Sequence, residues 1–83
     1  MAIRFHPHAR ERMEERGASE DEAMAAVQHG ERFPAKYERM GFRRSFAFNA
    51  EWRGKYYGTK QLEVYAVQEG EDWLVITVIA RYF

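Results

Sequence analysis

The sequence predicts an α+β domain: a short N-terminal strand, an αα-hairpin, then a three- to four-stranded antiparallel sheet. Three observations carry that expectation. The first is a proline-started run of helix formers, HARERMEER, that stops at Gly17. The second is the segment Ser19-Glu20-Asp21-Glu22, a capping box with acids in the first turn of a helix. The third is the C-terminal half, where QLEVYAVQ alternates strictly and WLVITVIARYF is almost continuously apolar and β-branched.

Taken in order, Ile3 to Phe5 reads as the opening strand. Pro7 suits the first turn of the following helix, where a missing N–H costs nothing. Ala23, Met24, Ala26 and Val27 give the second helix its buried face, and Gly30 ends it. Two short helices joined by one tight turn make the αα-hairpin. Phe33 and Tyr37 bracket Pro34, as expected of an irregular or edge strand. Phe42, Phe46 and Phe48 fit a strand, with Arg44 on their side. Residues 49–59 read as a loop or a loosely formed hairpin around Gly54 and Gly58. Leu62, Val64 and Ala66 then oppose Glu63, Tyr65 and Val67 on the next strand. The last run is expected to be a central strand buried on both faces, with Arg81 on the side of Trp73, Val75, Thr77 and Ile79.

The 83 residues form a single domain, 46% hydrophobic and 16% aromatic, which is enough for a core. There is no cysteine, so disulfides and thiolate metal sites are excluded. No window approaches the roughly 20 apolar residues that cross a bilayer, and the N-terminus lacks a signal pattern. A cytoplasmic protein without a membrane role is expected. The net charge is zero, yet it is unevenly spread. Residues 1–35 hold five Arg against seven acids, residues 36–60 hold seven Lys or Arg against two, and residues 61–83 hold one Arg against four. The basic middle suits local phosphate contacts, while the neutral total argues against a non-specific nucleic-acid binder.

Chemistry concentrates at the two ends. His8, Arg12 and Arg16 recur every four residues and share one helix stripe, beside the inward-facing Ala9 and Met13. One reading is a solvated, salt-laced helix surface. The other is an anion site, with guanidinium forks for phosphate and an imidazole able to titrate near neutrality. Metal-independent RNA cleavage needs a base for the 2′-hydroxyl, positive charge on the phosphorane and an acid for the leaving oxygen. His8 with Arg12, Arg16, Arg81 and Tyr82 could meet those needs. His6, His8 and His29 lack the spaced acid of known metal motifs, so neither a metal nor any other cofactor is expected. Trp52, Tyr56 and Tyr57, with Arg53, Lys55 and Lys60 around them, could form a stacking surface for single-stranded RNA or receive a protein partner.

The stretch HPHARERMEERGASEDEAMAAVQHGE resembles the opening of the bacterial family called domain of unknown function 4258, with its His-x-x-x-Arg-Met-x-x-Arg-Gly helix. The closing VITVIARYF is similar as well, whereas residues 33–60 match poorly. That family is similar in turn to the RelE/ParE and BrnT toxins of toxin–antitoxin systems. The resemblance implies a RelE-like toxin fold over residues 1–83 and a metal-independent endoribonuclease. It also implies RNA or the ribosome as target and a cognate antitoxin as partner. In the RelE-like ribonucleases basic groups lie on the sheet, and an Arg with a nearby Tyr lies towards the chain end. Arg81 and Tyr82 match the latter, and Arg43, Arg44 or Lys60 the former. The alternative is a non-catalytic protein- or nucleic-acid-binding module on the same scaffold. Exposed strand edges and aromatics leave room for a homodimer.

Overall fold

A computed structural model describes residues 1–83. The chain runs β1 (Ile3–Phe5), α1 (Pro7–Arg16), α2 (Glu20–His29), β2 (Glu31–Pro34), β3 (Met40–Trp52), β4 (Lys55–Glu69) and β5 (Asp72–Tyr82). The strands form one mixed sheet in the order β1-β5-β4-β3-β2. The four strands after the helices fall within the expected three or four, and the sheet reaches five because β1 also pairs at its edge. β1 lies parallel to β5, and the other neighbours are antiparallel.

Local chemistry explains the helices. His6 caps α1, its imidazole Nδ1 accepting from the His8 N–H at 3.0 Å, so His6 belongs to the helix start. Ser19 and Glu22 close the expected capping box on α2. Both helices lie on one face of the sheet, where Met13, Ala23, Ala26 and Val27 meet Phe42, Leu62, Val64, Val75 and Val78 in the core. No helix is long and apolar enough to cross a membrane.

Two bulges shape the sheet. In β5, Tyr65 pairs with Thr77 but Ala66 pairs with Val75, which leaves Ile76 as an extra residue. The alternation of side chains therefore switches at Ile76. Trp73, Val75, Val78, Ala80 and Tyr82 face the helices, and Thr77, Ile79 and Arg81 face the other way. The expectation that Arg81 shares a side with Trp73 and Val75 is corrected by this one residue. The second expectation for this run also changes: β5 is interior to the sheet, but only one of its faces is covered by helices.

In β3, Phe48 and Asn49 oppose the single residue Gly58, with Asn49 at φ 47°. Beyond this point β3 and β4 continue as a regular hairpin, closed by the two-residue turn Arg53-Gly54 at φ 52° and 83°. Residues 49–59 are thus ordered strand and turn, and the arm brings Trp52 onto Tyr82 in a stack at 5.1 Å.

The end of α1 is clamped to the sheet by three bonds. Tyr82 donates to the Arg16 carbonyl at 2.6 Å, Lys60 donates to the Gly17 carbonyl at 2.8 Å, and Arg16 donates to the Val78 carbonyl at 2.6 Å. Helix ends leave carbonyls without intrahelical partners, and these contacts satisfy two of them. Gly17 sits at φ 74°, and a Cβ there would lie 2.6 Å from the Tyr82 hydroxyl and 2.7 Å from the Trp52 ring. A Gly17→Ala protein is expected to lose about 2–4 kcal/mol, combining left-handed strain with overpacking. Thermal unfolding followed by circular dichroism checks this.

Candidate functional site

The uncovered face of the sheet is built in rows across β2, β3, β4 and β5. Glu31, Arg43, Glu63 and Ile79 form one row, and Phe33, Gly41, Tyr65 and Thr77 the next. At their junction Glu63 is only 5% exposed although no helix covers it. Its burial comes from its neighbours. Arg43 Nε reaches Glu63 Oε2 at 3.1 Å, Tyr65 donates its hydroxyl proton to Oε1 at 2.9 Å, and Arg81 Nη1 donates to Oε2. Arg43 also pairs with Glu31 at 3.2 Å.

Burial pushes the Glu63 carboxyl up. The hydrogen bonds from Tyr65, Arg43 and Arg81, with the charge of Arg81, outweigh that and hold it below its ordinary value. Burial, and then the hydrogen bond to Glu63 and its charge, push the Tyr65 hydroxyl up, so it keeps its proton. The result is an ionised carboxylate next to a protonated phenol and two permanent cations.

The sequence-predicted residues do not converge on one point. His8 is exposed at the start of α1, and Arg12 pairs with Glu15 at 3.1 Å on the helix surface. Arg16 is turned to the Val78 carbonyl. These three lie with the helices on one side of the sheet, and Arg81 lies on the other. Tyr82 points away from Arg81, as adjacent strand residues do, and its hydroxyl is engaged by Arg16. Burial, then the charge of Glu22, push that hydroxyl up against a smaller opposing effect of Arg53.

The candidate nucleic-acid contacts separate similarly. Arg43 is on the uncovered face. Arg44 lies on the helix side, its guanidinium 5.7 Å from the Phe46 ring centre and its Nε without a partner. Lys60 is also on the helix side, 6% exposed and paired with Glu22 at 2.8 Å, so it is a structural lysine rather than a surface one. Arg53 donates to the Glu15 carbonyl at 2.8 Å and frames a small hollow of about 160 Å³ with Arg16 and Trp52. Lys55 rides over Tyr57 at 5.5 Å. Trp52 and Tyr57 pack around Tyr82, which leaves Tyr56 exposed and removes a common stacking surface. No three His, Asp or Glu side chains gather as metal ligands would.

Residues 5–80 match the model of a family described as domain of unknown function (DUF4258). The chain belongs to the DUF4258 family. No curated protein and no solved structure matched it.

In this DUF4258 chain, sequence reasoning missed Glu63 and Tyr65. The signal was present: both lie on the polar side of the alternating strand QLEVYAVQ, opposite the core positions. What the sequence lacked was the register that sets Arg43 beside them and the bulge that brings Arg81 over them.

Because the folded pKa of Glu63 lies below its unfolded value, its stabilisation is complete above the ordinary carboxylate range. It is lost as pH falls through that range to the folded pKa. Denaturant unfolding measured across acid pH is expected to show a shallower decline for Glu63→Gln than for the wild type.

Proposed function

We propose that this DUF4258 protein acts on RNA as a metal-independent endoribonuclease of the toxin type, working from the uncovered sheet face. The observation that carries this reading is Glu63, a carboxylate buried only by the side chains around it, Arg43, Arg81 and Tyr65 among them, on the sheet face that no helix covers. These groups supply the three functions that cleavage of an RNA strand requires. Glu63 takes the proton from the 2′-hydroxyl, and the 2′-oxygen attacks phosphorus. Arg43 and Arg81 neutralise the charge gathering on the phosphorane oxygens. Tyr65 gives its proton to the leaving 5′-oxygen and recovers one from Glu63. The products are a 2′,3′-cyclic phosphate and a free 5′-hydroxyl, with no metal in the balance.

The order of elements, a helical hairpin packed on one face of a largely antiparallel sheet, supports the RelE-like side of the resemblance. It leaves the opposite face to substrate and antitoxin. The alternative, a non-catalytic binding module, is favoured by a different feature of the same face. Val67 and Leu74, paired across β4 and β5, are half-buried aliphatic side chains without a helix cover, which suits a protein partner.

The deciding experiment is cleavage of a labelled single-stranded RNA by purified protein in EDTA. Glu63→Gln and Arg81→Ala are expected to slow cleavage by about 10² or more, the usual contribution of a general base or a charge clamp. His8→Ala is expected to cleave like the wild type. Binding without cleavage, with identical traces for all proteins, would leave the binding module in possession.

A further inference from the structure

Beside Glu63 the uncovered face deepens into a concavity of about 380 Å³, between the β2–β3 turn and the sheet. Its walls are aromatic. Phe33 meets Tyr65 edge-on with ring centres 6.0 Å apart, and Tyr37 stands 82% exposed at the turn. Two features of the chain look made for this hollow. Gly41 leaves room for the Phe33 ring to lie over β3: a Cβ there would come within 2.3 Å of the ring. Tyr37 and Glu38 both adopt left-handed backbone, at φ 61° and 59°. Consecutive positive φ values belong to tight hairpin turns that favour Asn and Gly, so a tyrosine here holds its exposed ring at a cost to folding.

The charges at the hollow are also distinctive. Arg43 and Arg81 share ion pairs with Glu63, but Lys36 and Arg39 line the concavity and join no ion pair. Arg39 lies 5.7 Å from the Tyr37 ring centre. Arg43 connects the hollow to the carboxylate, since its guanidinium sits 4.6 Å from the Phe33 ring centre while its Nε holds Glu63. The two rows are adjacent on one face, a step of roughly 7 Å along each strand, comparable to the length of one nucleotide in an extended strand.

We propose that this concavity is a nucleobase pocket for single-stranded RNA: it stacks the base next to the scissile phosphate between Tyr37, Phe33 and Tyr65. Lys36 and Arg39 grip the neighbouring phosphate. The proposal rests on the RNA-cleavage reading and adds the substrate class to it, an unpaired strand, since a stacked base must leave its duplex. Its size falls in the range of pockets that hold small planar ligands, and cations flanking aromatic faces suit a nucleotide rather than an apolar peptide.

The test uses RNA tetranucleotides bearing 2′-O-methyl groups, which cannot be cleaved because the attacking oxygen is blocked. Binding is measured by calorimetry at one fixed, low salt concentration. Wild type and Glu11→Gln, a change at an exposed position of α1 on the other side of the sheet, are expected to bind with similar affinity. Tyr37→Gly is expected to bind about tenfold or more weakly, the worth of one stacked base, while its melting temperature holds or rises because glycine relieves the turn. Gly41→Ala displaces Phe33 and is expected to weaken binding similarly, with amide shifts of the bound wild type centred on residues 33, 41 and 65. Equal affinity of wild type and Tyr37→Gly, or no binding by the wild type, overturns the pocket whatever the cleavage assay shows. Weakened binding by Tyr37→Gly with no cleavage by any protein retains the pocket and overturns the catalytic reading instead.

Discussion

A single extra residue, Ile76, decides which side of the sheet every later side chain of β5 occupies. Before it, Trp73 and Val75 pack under the helices. After it, Val78, Ala80 and Tyr82 do so, and Arg81 is turned to the uncovered face. In an unbroken strand the alternation would bury Arg81 among the core residues and expose Tyr82. Both consequences of the bulge are used. Arg81 lands over Glu63, two residues along β4 from its own cross-strand partner Gln61. Tyr82 lands beneath the end of α1, where its hydroxyl finds the Arg16 carbonyl. One local irregularity thus completes the carboxylate cluster on one face and anchors the helix on the other.

The same geometry assigns structural roles to much of the N-terminal motif. Met13 is core, Arg16 holds a carbonyl of β5, and Gly17 is the left-handed residue over which Trp52 and Tyr82 close. Lys60 completes the clamp by joining the Gly17 carbonyl to Glu22, the residue that also caps α2. A lysine this deep is tolerated because its ammonium has both a carboxylate and a carbonyl, so its charge is neither unpaired nor unsolvated. The guanidinium ladder that looks like an anion site on a helical wheel is therefore divided. Arg16 is spent on docking, and Arg12 and His8 stay at the surface.

What could be read from the sequence was what short-range chemistry determines. The proline start, the Ser19–Glu22 capping box, Gly17 as a stop and the alternation through Leu62, Val64 and Ala66 all depend on neighbours within a few residues. The site depends on longer separations. Arg43 and Glu63 are brought together by register across a hairpin, and register is not fixed when the intervening residues 49–59 read as a loop or a loosely formed hairpin. The Ile76 bulge is invisible for a related reason: in WLVITVIARYF almost every position is apolar, so the pattern has no phase to interrupt. That run suggested cover on both faces, and the chain supplies it on one. Lys60 was grouped with the basic residues around Trp52 and Tyr56, because its partners lie far away in sequence at residues 17 and 22.

The energetics of the uncovered face argue that its charges are kept for more than folding. Val67, Leu74 and Ile79 show that aliphatic side chains are accommodated on this same surface. Burying a carboxylate costs desolvation that its pairing must return, and an apolar residue of similar volume commonly serves stability as well. Glu63 nonetheless sits 5% exposed with two guanidiniums and a phenol arranged about it. Tyr65 ties that cluster to Phe33, and Phe33 in turn lies over a glycine that gives it room. From Arg81 to Tyr37 the face is therefore one connected surface, in which a left-handed tyrosine and a buried carboxylate both depart from what stability alone favours. Departures that adjoin one another on a single face are where a folded domain departs from its own stability for the sake of a site.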